Sequence, residues 1–473
     1  MKYKMKINML ASILIIILGV TGIANHINIW ATSISVLYIV LLAFCAKNPD
    51  KHIILLMFSG CYYAFLVGGI LVNEYLEYDM LYDYSVEYYD FMLYTIFYSL
   101  LLVFIGYIFS GHIYKNKVKE STSLDLKDEP KIKMIRKLSL CSHYIFLNAY
   151  ILVLIEAILI VRKYGYYSYY SYESNLPYIV TELSELYIVA LFLFLATLPE
   201  KKEAKIPLFI FFALNCVSLF TGRRIYFVID NMIIICYGFF RNKLTPNDKW
   251  ITRKHILILI FLLPVIAVFL YVYNYIRMNR TARAETFLDA MFLFFKQQGF
   301  SANLIPLGKK YSYRLGDDYY TMYDILKNIR LNPLVRVFTN SSYRELYTGT
   351  RANVALKSGS FAKAISYAVV KNRYLGGYGM GSCYIAELYH DFGHVGVCIG
   401  NLLYGFTLAR INCLSTSKII GNTFILLMLR GFFKAPRYCF DSPFYFLLSV
   451  PMWLYFCMVF FMSNQILSQK KVV

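Results

Sequence analysis

Apolar runs of about 20 residues, separated by short polar breaks, follow one another along most of the 473-residue chain. A hydrocarbon core of about 30 Å needs about 20 apolar residues per helix, whereas a β-barrel would show shorter, alternating segments. The pattern therefore predicts an all-α protein that crosses a membrane many times. We place about twelve transmembrane helices near residues 6–24, 27–45, 52–73, 91–112, 139–161, 178–197, 206–221, 225–240, 255–276, 389–409, 420–435 and 444–464.

One connection is much longer than the others, residues 277–388 between the ninth and tenth predicted helices. A connection of this length usually folds and carries function. We therefore divide the chain into helices 1–9 (residues 1–276), a basic extracytoplasmic loop domain or lid (277–388) and helices 10–12 with the C-terminus (389–473). Within the loop, two apolar stretches, 286–295 and 361–370, fit helices at the membrane interface or, equally, the buried face of the lid.

Lys and Arg concentrate in alternate short connections, and the positive-inside rule places those connections in the cytoplasm. Residues 74–90 show the opposite composition. They contain no Lys or Arg but six acidic residues, Glu74, Glu77, Asp79, Asp83, Glu87 and Asp90. Both termini are accordingly predicted to be cytoplasmic, with the long loop outside. The net charge of +20 then reflects topology and contact with anionic lipids rather than nucleic acid.

Composition excludes an ordinary soluble protein, because 59% of the residues are hydrophobic and only 16% are charged. The ten cysteines are scattered without a C-x-x-C pair that would indicate zinc or redox chemistry. The glycines of residues 376–381 follow no strand and precede no Lys-Ser/Thr, so a nucleotide loop is not predicted. We therefore expect no metal and no cofactor.

Arginines gather where several helices meet the outer face. Arg223 and Arg224 stand between two predicted helices with almost no loop, and Arg277, Arg280 and Arg283 recur at three-residue spacing where the ninth helix emerges. If that helix continued, these three would share a face. Guanidinium groups match phosphate oxygens bidentately, so the two clusters could hold a diphosphate; the alternative is that they snorkel to lipid headgroups.

A third basic group precedes the last helix. Lys434, Arg437 and Asp441 could join the same rim, or could simply provide the charge that a polar turn needs.

Residues 379–405 run from a polar, glycine-containing stretch directly into an apolar helix. On a helix, Glu387 and Asp391 lie four residues apart on one face, with His390 beside them. All three are candidates to accept a proton from an attacking hydroxyl, and we favour Glu387 as the base or as the group that orients the acceptor. The alternative is structural, with Asp391 capping the helix and the other two bonded to the lid.

Three stretches resemble the O-antigen and capsular repeat-unit polymerases, the Wzy family of bacterial cell envelopes. They are QQGFS at 297–301, TGRR at 221–224 and, above all, GMGSCYIAELYHDFGHVGVCIGNLLYG at 379–405. The resemblance extends to the architecture from about residue 200 to 450 and implies a GT-C-like membrane fold. It points to substrate-contacting loop residues at Gln298, Ser301, Gly379, Gly381, Ser382 and Tyr389, to which we add Arg351 from the basic residues of the long loop.

What the resemblance implies is a metal-independent glycosyl transfer at the outer face of the bacterial cytoplasmic membrane. The donor would be a glycan on undecaprenyl diphosphate, the acceptor a newly flipped undecaprenyl-diphosphate repeat unit, and the leaving group undecaprenyl diphosphate. A chain-length regulator and a repeat-unit flippase would be partners beside the membrane lipids.

Two other functions fit the same pattern. A polysaccharide ligase or a polyprenyl-phosphate-dependent glycosyltransferase would use the same basic lid and differ in its substrates. A flippase or transporter would use the ionisable residues inside predicted helices, Glu156, Glu182, Glu185 and Asp230. For a transporter, however, we would expect paired bundles around a charged central cavity instead of one large outer loop.

Overall fold

The computed structural model describes residues 2–76, 84–115, 129–170, 172, 174–316, 318–331, 346–347, 349–414 and 418–472. Within these ranges every regular element is a helix, which confirms the predicted all-α class. Three acids of the predicted outer connection, Glu77, Asp79 and Asp83, lie outside the described residues.

The first half of the chain consists mainly of long helices. They are α1 (Lys2–Ala24), α2 (Ile29–Lys47), α3 (Pro49–Tyr62), which continues through a π-helical turn (Tyr63–Val67) into α4 (Gly68–Leu76), α5 (Val86–Lys115), α6 (Pro130–Tyr164), α7 (Tyr178–Ala196), α8 (Lys201–Ser218), α9 (Arg224–Leu244) and α10 (Arg253–Ile276).

Short helices fill the described parts of the long connection, and three long helices follow it. The short ones are α11 (Phe287–Gln298), α12 (Leu304–Lys310), α13 (Tyr323–Leu331), α14 (Arg351–Lys357) and α15 (Phe361–Leu375), and the long ones are α16 (Tyr384–Arg410), α17 (Ile419–Lys434) and α18 (Val450–Val472). The apolar stretches 286–295 and 361–370 are thus helical, as predicted. Thr286 caps α11, since its side chain accepts a hydrogen bond from the Asp289 backbone N–H.

Eleven helical segments of the described chain are long and apolar enough to cross a membrane, so the protein is a multi-pass membrane protein. They are Met5–Ala24, Ile29–Lys47, Pro49–Leu76, Val86–Gly111, Pro130–Tyr164, Tyr178–Ala196, Lys201–Thr221, Arg253–Ile276, Tyr384–Arg410, Ile419–Arg437 and Val450–Gln469.

The predicted helix at 225–240 does form, as α9, but it is not among these eleven. Asp230 and Asn231 interrupt its apolar face. α9 packs against α3, α8 and α17, and the guanidinium of Arg430 on α17 binds both oxygens of Asp230 at 2.9 and 3.1 Å. A helix shielded in this way from lipid can carry a charge that a lipid-facing helix could not.

Two glycines allow α5 and α16 to lie close together. A Cβ atom on Gly405 would collide with the carbonyl oxygen of Val103, and one on Gly106 would collide with that of Leu402. Small residues of this kind allow two membrane helices to pack backbone against backbone. The contact fixes α16, whose first turns carry Glu387, His390 and Asp391, against the bundle.

Candidate functional site

A cavity of about 2230 Å³ lies between the first membrane helices, α9, α10 and the short helices of the long connection. Seven basic residues line one part of it, which we call the cationic chamber: Arg223, Arg224, Arg277, Arg351, Lys363, Lys434 and Arg437. No Asp or Glu lies among the described residues of its wall. Seven cationic side chains along one part of a cavity wall create a positive potential that suits an anion.

A different part of the same wall is apolar. This apolar flank consists of residues from α1, α2 and α10, namely Leu18, Ile39, Leu42, Leu259, Ile260, Leu262 and Leu263. Several of them also face the outside of the molecule; Leu263, for example, is 63% exposed. The cavity therefore joins the cationic chamber to an apolar flank that reaches the surface of the molecule.

The TGRR turn is built to bring its arginines into the chamber. Gly222 adopts a left-handed φ of +80°, and a Cβ there would collide with the ring of Tyr166. Only glycine fits both conditions at low cost. The Gly222 carbonyl accepts a hydrogen bond from Arg277 Nη1 at 2.6 Å, so the turn is tied to the end of α10.

Tyrosines and backbone carbonyls orient the arginines of this turn. Arg223 donates to the hydroxyls of Tyr169 at 2.5 Å and Tyr226 at 2.6 Å and lies over both rings. Arg224 donates to the carbonyl of Leu270 at 2.7 Å. These hydroxyl and carbonyl groups orient the guanidinium groups toward the chamber.

Arg277 retains a free donor. Its Nη1 and Nη2 atoms are bonded to Gly222 and Asn274, and its guanidinium carbon lies 4.1 Å from the centre of the Tyr166 ring. Its Nε is buried without a hydrogen-bond partner among the described residues. A buried donor of this kind is unfavourable unless a ligand or water accepts from it.

Arg280 and Arg283 do not share the position of Arg277. α10 ends at Ile276, and Asn279 turns the chain with a φ of +52°. The condition for a shared face, a helix that continues past Arg277, is therefore not met, because the backbone N–H groups of the turn fold back onto the carbonyls of Tyr275 and Ile276. Both residues are exposed and lie outside the cavity wall.

Residues far apart in the sequence complete the chamber. Arg437 donates to Oε1 of the buried Gln298 at 2.9 Å, and Arg351 donates to the carbonyl of Tyr374 at 2.6 Å. Lys363 is a member that sequence reasoning did not single out among the loop's basic residues. Its burial, with Lys327 and Arg351 nearby, lowers the pKa of the Lys363 ammonium to about 8.

The glycine-containing stretch before α16 forms part of the wall. Gly379 and Gly381 line the cavity, and Gly381 has a φ of +83°. The next residue, Ser382, points inward and donates to Oε1 of Glu387 at 2.5 Å. Ser301 and Tyr389 do not line the cavity: Ser301 is 1% exposed, and Tyr389 packs against Phe91 and His394.

Glu387 lies directly behind this wall rather than in it. Its side chain is fully buried, and its Oε2 accepts a hydrogen bond from the Phe440 backbone N–H at 2.9 Å. In this conformation Glu387 joins the start of α16 to two neighbouring loops.

His390 and Asp391 also bind neighbouring segments. Nδ1 of His390 lies 3.1 Å from Oδ1 of Asp391, and Oδ2 of Asp391 accepts from both the backbone N–H and the hydroxyl of Thr321 at 2.8 Å. The structure thus brings the three residues together at one helix end but gives none of them to the cavity wall. Their catalytic role stays a prediction.

The three residues predicted to form a rim before α18 do not lie together. Lys434 and Arg437 line the cavity, whereas Asp441 is 2% exposed and accepts a hydrogen bond from the Ile325 backbone N–H at 2.8 Å. Burial and the nearby Asp324 carboxylate raise the pKa of Asp441 to about 7.

Two of the four acids predicted inside membrane helices, Asp230 and Glu156, have hydrogen-bond partners nearby. Asp230 binds Arg430, and Glu156 accepts hydrogen bonds from the Ser174 hydroxyl and the Asn175 N–H. Arg430 was missed from the sequence, although an arginine inside a predicted membrane helix is itself a signal for a buried acidic partner.

Comparison with known proteins gave one family match. Searches of curated proteins and of solved structures gave no match. The family model of the O-antigen polysaccharide polymerase Wzy, however, matches residues 5–470, nearly the whole chain. The chain therefore belongs to the O-antigen polysaccharide polymerase Wzy family.

Proposed function

We propose that this protein joins undecaprenyl-diphosphate-linked oligosaccharide repeat units into a long surface polysaccharide and releases undecaprenyl diphosphate at each transfer. Family membership carries the general activity, repeat-unit polymerisation. The finer proposal rests on one observation, the cavity that joins the cationic chamber to the apolar flank.

The chamber suits the diphosphate of such a substrate. Diphosphate presents several negatively charged oxygens at short spacing, and guanidinium groups can bind two of them at once. Arg224 lies close enough to Arg277 and Arg437 for their charges to interact. Bound diphosphate would relieve this repulsion and would give Arg277 Nε an acceptor.

The apolar flank suits the polyprenyl chain. A long hydrocarbon tail must stay out of water while its headgroup enters a charged site. The exposed side chains of α10, such as Phe261 at 76% and Leu263 at 63%, would face lipid in a membrane. The tail could thus remain in contact with the bilayer while the diphosphate occupies the chamber.

The chemistry then depends on charge stabilisation. A hydroxyl of the acceptor sugar attacks the anomeric carbon of the donor, a new glycosidic C–O bond forms, and the bond from that carbon to the diphosphate oxygen breaks. Negative charge grows on the departing lipid diphosphate, and the preoriented arginines stabilise it. The tyrosines of the wall, Tyr166, Tyr167 and Tyr378, offer flat faces for the sugars.

The proton of the attacking hydroxyl needs an acceptor. Glu387 is our candidate, with His390 and Asp391 as neighbours. Glu387 does not line the cavity but is hydrogen-bonded to Ser382, which follows Gly381 of the wall. Its direct participation therefore requires the segment at Gly379–Ser382 to shift when substrate binds.

We also propose twelve membrane crossings, cytoplasmic termini and an outer active site. Arg277, at the end of α10, is hydrogen-bonded to Gly222, just before α9. The chain therefore leaves one end of the bundle through α9 and returns to the same end through α10. α9 has 21 residues, about 31 Å at 1.5 Å per residue, enough to cross and return with α10. A chain-length regulator and a repeat-unit flippase would work beside it.

A ligase remains the alternative, since the same chamber would hold its lipid-diphosphate donor. The discriminating assay uses purified protein in nanodiscs with one synthetic undecaprenyl-diphosphate repeat unit. A polymerase yields a ladder of chain lengths and free undecaprenyl diphosphate from this single substrate, whereas a ligase yields no ladder without a separate acceptor. Translocation without bond formation would overturn both.

Matched arginine variants test the site within that assay. Arg277→Gln removes a wall cation and should reduce ladder formation at least tenfold, because a charge-assisted hydrogen bond to a phosphate is worth about 1.5–3 kcal/mol. Arg283→Gln removes an exposed arginine six positions away and should keep near-normal activity. Equal activity in the two variants would contradict the proposed chamber.

A further inference from the structure

A second polar cluster lies outside the cavity wall and outside the proposed reaction. It joins Asp324, at the start of α13, to Cys439 and Asp441 in the turn between α17 and α18. One donor atom from each residue lies within 4.8 Å of the other two. The three residues are 9%, 3% and 2% exposed, so water has little access to them.

The hydrogen bonds around the cluster leave part of it unsatisfied. Asp441 Oδ2 accepts from the Ile325 N–H at 2.8 Å, and the hydroxyl of Ser442 lies 3.4 Å from Asp324 Oδ2. The other oxygen of Asp441, Oδ1, is buried without a partner in the described part of the chain. The Asp441 carboxylate also has an oxygen within 4.8 Å of the possible metal-ligand atoms of Asp324 and Cys439.

The electrostatics of the cluster call for a cation. Two carboxylates and a thiol share a site from which water is excluded, and Glu387 holds the same turn through the Phe440 N–H. Uncompensated negative charge in such a place is strongly unfavourable. Lys434 and Lys327 lie near enough for their charges to act on Asp324, but neither forms an ion pair with the cluster among the described residues. The ammonium of Lys434 lies over the rings of Tyr438 and Tyr445 at 4.3 and 5.2 Å.

We propose that Asp324, Cys439 and Asp441 bind a divalent metal ion of intermediate softness, with Zn²⁺ as the best match. Zn²⁺ takes thiolate sulfur at about 2.3 Å and carboxylate oxygen at about 2.0–2.2 Å, which separates neighbouring ligands by about 3.5 Å. The ligand atoms, now within 4.8 Å of one another, would have to draw together to that spacing when the ion binds. A thiolate in the set disfavours Mg²⁺ and Ca²⁺, which prefer all-oxygen sites.

The ion would be structural. None of its three ligands lines the cavity, but Tyr438 and Arg437, which do, precede Cys439 directly. Binding would hold α13 of the long connection against the turn that carries these wall residues. The proposal does not depend on the polymerase chemistry, and it leaves the expected metal-independent glycosyl transfer unchanged.

Metal analysis of the full-length protein tests the proposal without any substitution. Protein purified in detergent without added chelator should contain close to one equivalent of zinc by inductively coupled plasma mass spectrometry. A strong chelator should remove it and lower the melting temperature, and added Zn²⁺, but not Ca²⁺, should restore both. Absence of any bound transition metal, with no thermal response to Zn²⁺ or Mn²⁺, would overturn the proposal and leave protons as the compensating charge.

Cysteine variants locate the ion. Cys439→Ala and Asp441→Asn should each lose the equivalent of zinc, whereas Cys236→Ala, at a buried cysteine on α9, should retain it. Zinc that persists unchanged in Cys439→Ala would place the metal elsewhere and refute the assignment. If either cluster variant fails to fold, the chelation and re-addition experiment on the unaltered chain still decides.

Discussion

Lys363 is the chamber residue whose charge changes closest to neutral pH. Its free-state pKa of about 8 must rise when a diphosphate binds beside it, because an anion favours the charged ammonium. Affinity for a lipid diphosphate should therefore be greatest below pH 8 and fall above it, by up to about tenfold per pH unit. Binding measured from pH 6.5 to 9.5 checks this expectation.

Lys363→Arg is the matched control, since a guanidinium stays protonated throughout this range. The variant should keep its affinity above pH 8. Identical pH profiles for the two proteins would exclude Lys363 from the diphosphate site.

Glu387 has a structural consequence that can be measured apart from catalysis. Glu387→Ala leaves the Ser382 hydroxyl and the Phe440 N–H without their acceptor and should destabilise the protein by roughly 2–4 kcal/mol. Glu87→Ala, at a side chain that is 78% exposed, should change stability little. Thermal unfolding in detergent gives both values.

The outcome also bears on the predicted catalytic role. If Glu387→Ala keeps its melting temperature but forms no ladder, the side chain acts on the reaction rather than on the fold. If Glu387→Ala loses both its melting temperature and ladder formation, Glu387→Gln separates the two roles, because its side chain retains one carbonyl oxygen that accepts a hydrogen bond.

Individual residues show where sequence reasoning stopped. The pattern predicted that arginines near 223 and 277 would serve one site, and Arg223, Arg224 and Arg277 do line one cavity. It could not separate Arg277 from Arg283, because the separation depends on a helix that ends at Ile276. Nor could it show that Glu387 is buried behind the wall, since its position depends on hydrogen bonds to Ser382 and to the distant Phe440.

At the scale of elements, the contact between α5 and α16 gives a direct test of the packing. A methyl group on Gly405 would collide with the Val103 carbonyl, and overpacking of this kind costs about 1–3 kcal/mol. Gly405→Ala should therefore lower the melting temperature. Gly111→Ala, on α5 but with open space at its Cβ, should be neutral or slightly stabilising because alanine favours helix. Equal effects would show that the two helices do not pack as described.

Long apolar runs made most membrane helices predictable from the sequence. The helix at 225–240 was predicted with its ends close to those of α9, yet its interior Asp230 is explained only by Arg430, 200 positions away. The tenth helix was predicted from residue 389 but begins at Tyr384. Its first residues include polar side chains that are buried against other segments, and a search for apolar runs does not recognise them. Element ends are thus decided by tertiary contacts that a local pattern does not contain.

At the scale of the molecule, the cavity draws its wall from residues between Leu18 and Tyr438. Its cationic end comes from the turn at 222–224, the end of α10, the long connection and the turn after α17. Sequence charge alone indicated that these segments face the same side. Their meeting in one chamber beside an apolar flank is a property of the folded chain.

The number of crossings decides whether these segments face outward. If α9 crosses, the chain makes twelve passages and both termini share one side. If it does not, the termini lie on opposite sides, the long connection turns inward, and the basic stretch from Arg241 to Lys254 lies outside, against the positive-inside rule. The bond between Arg277 and Gly222 favours the first arrangement, since α10 must return to the end from which α9 left.

Accessibility in intact cells distinguishes the two arrangements. A cysteine-free protein carrying Ser312→Cys, at an exposed position of the long connection, should react with an impermeant maleimide from outside. Epitope tags at both termini should resist protease in spheroplasts and become sensitive in inverted vesicles. An exposed C-terminal tag together with an unreactive Cys at 312 would establish eleven crossings. The chamber would then open to the cytoplasm, where it could not receive repeat units that had already been flipped, and the proposed outer-face reaction would fail with it.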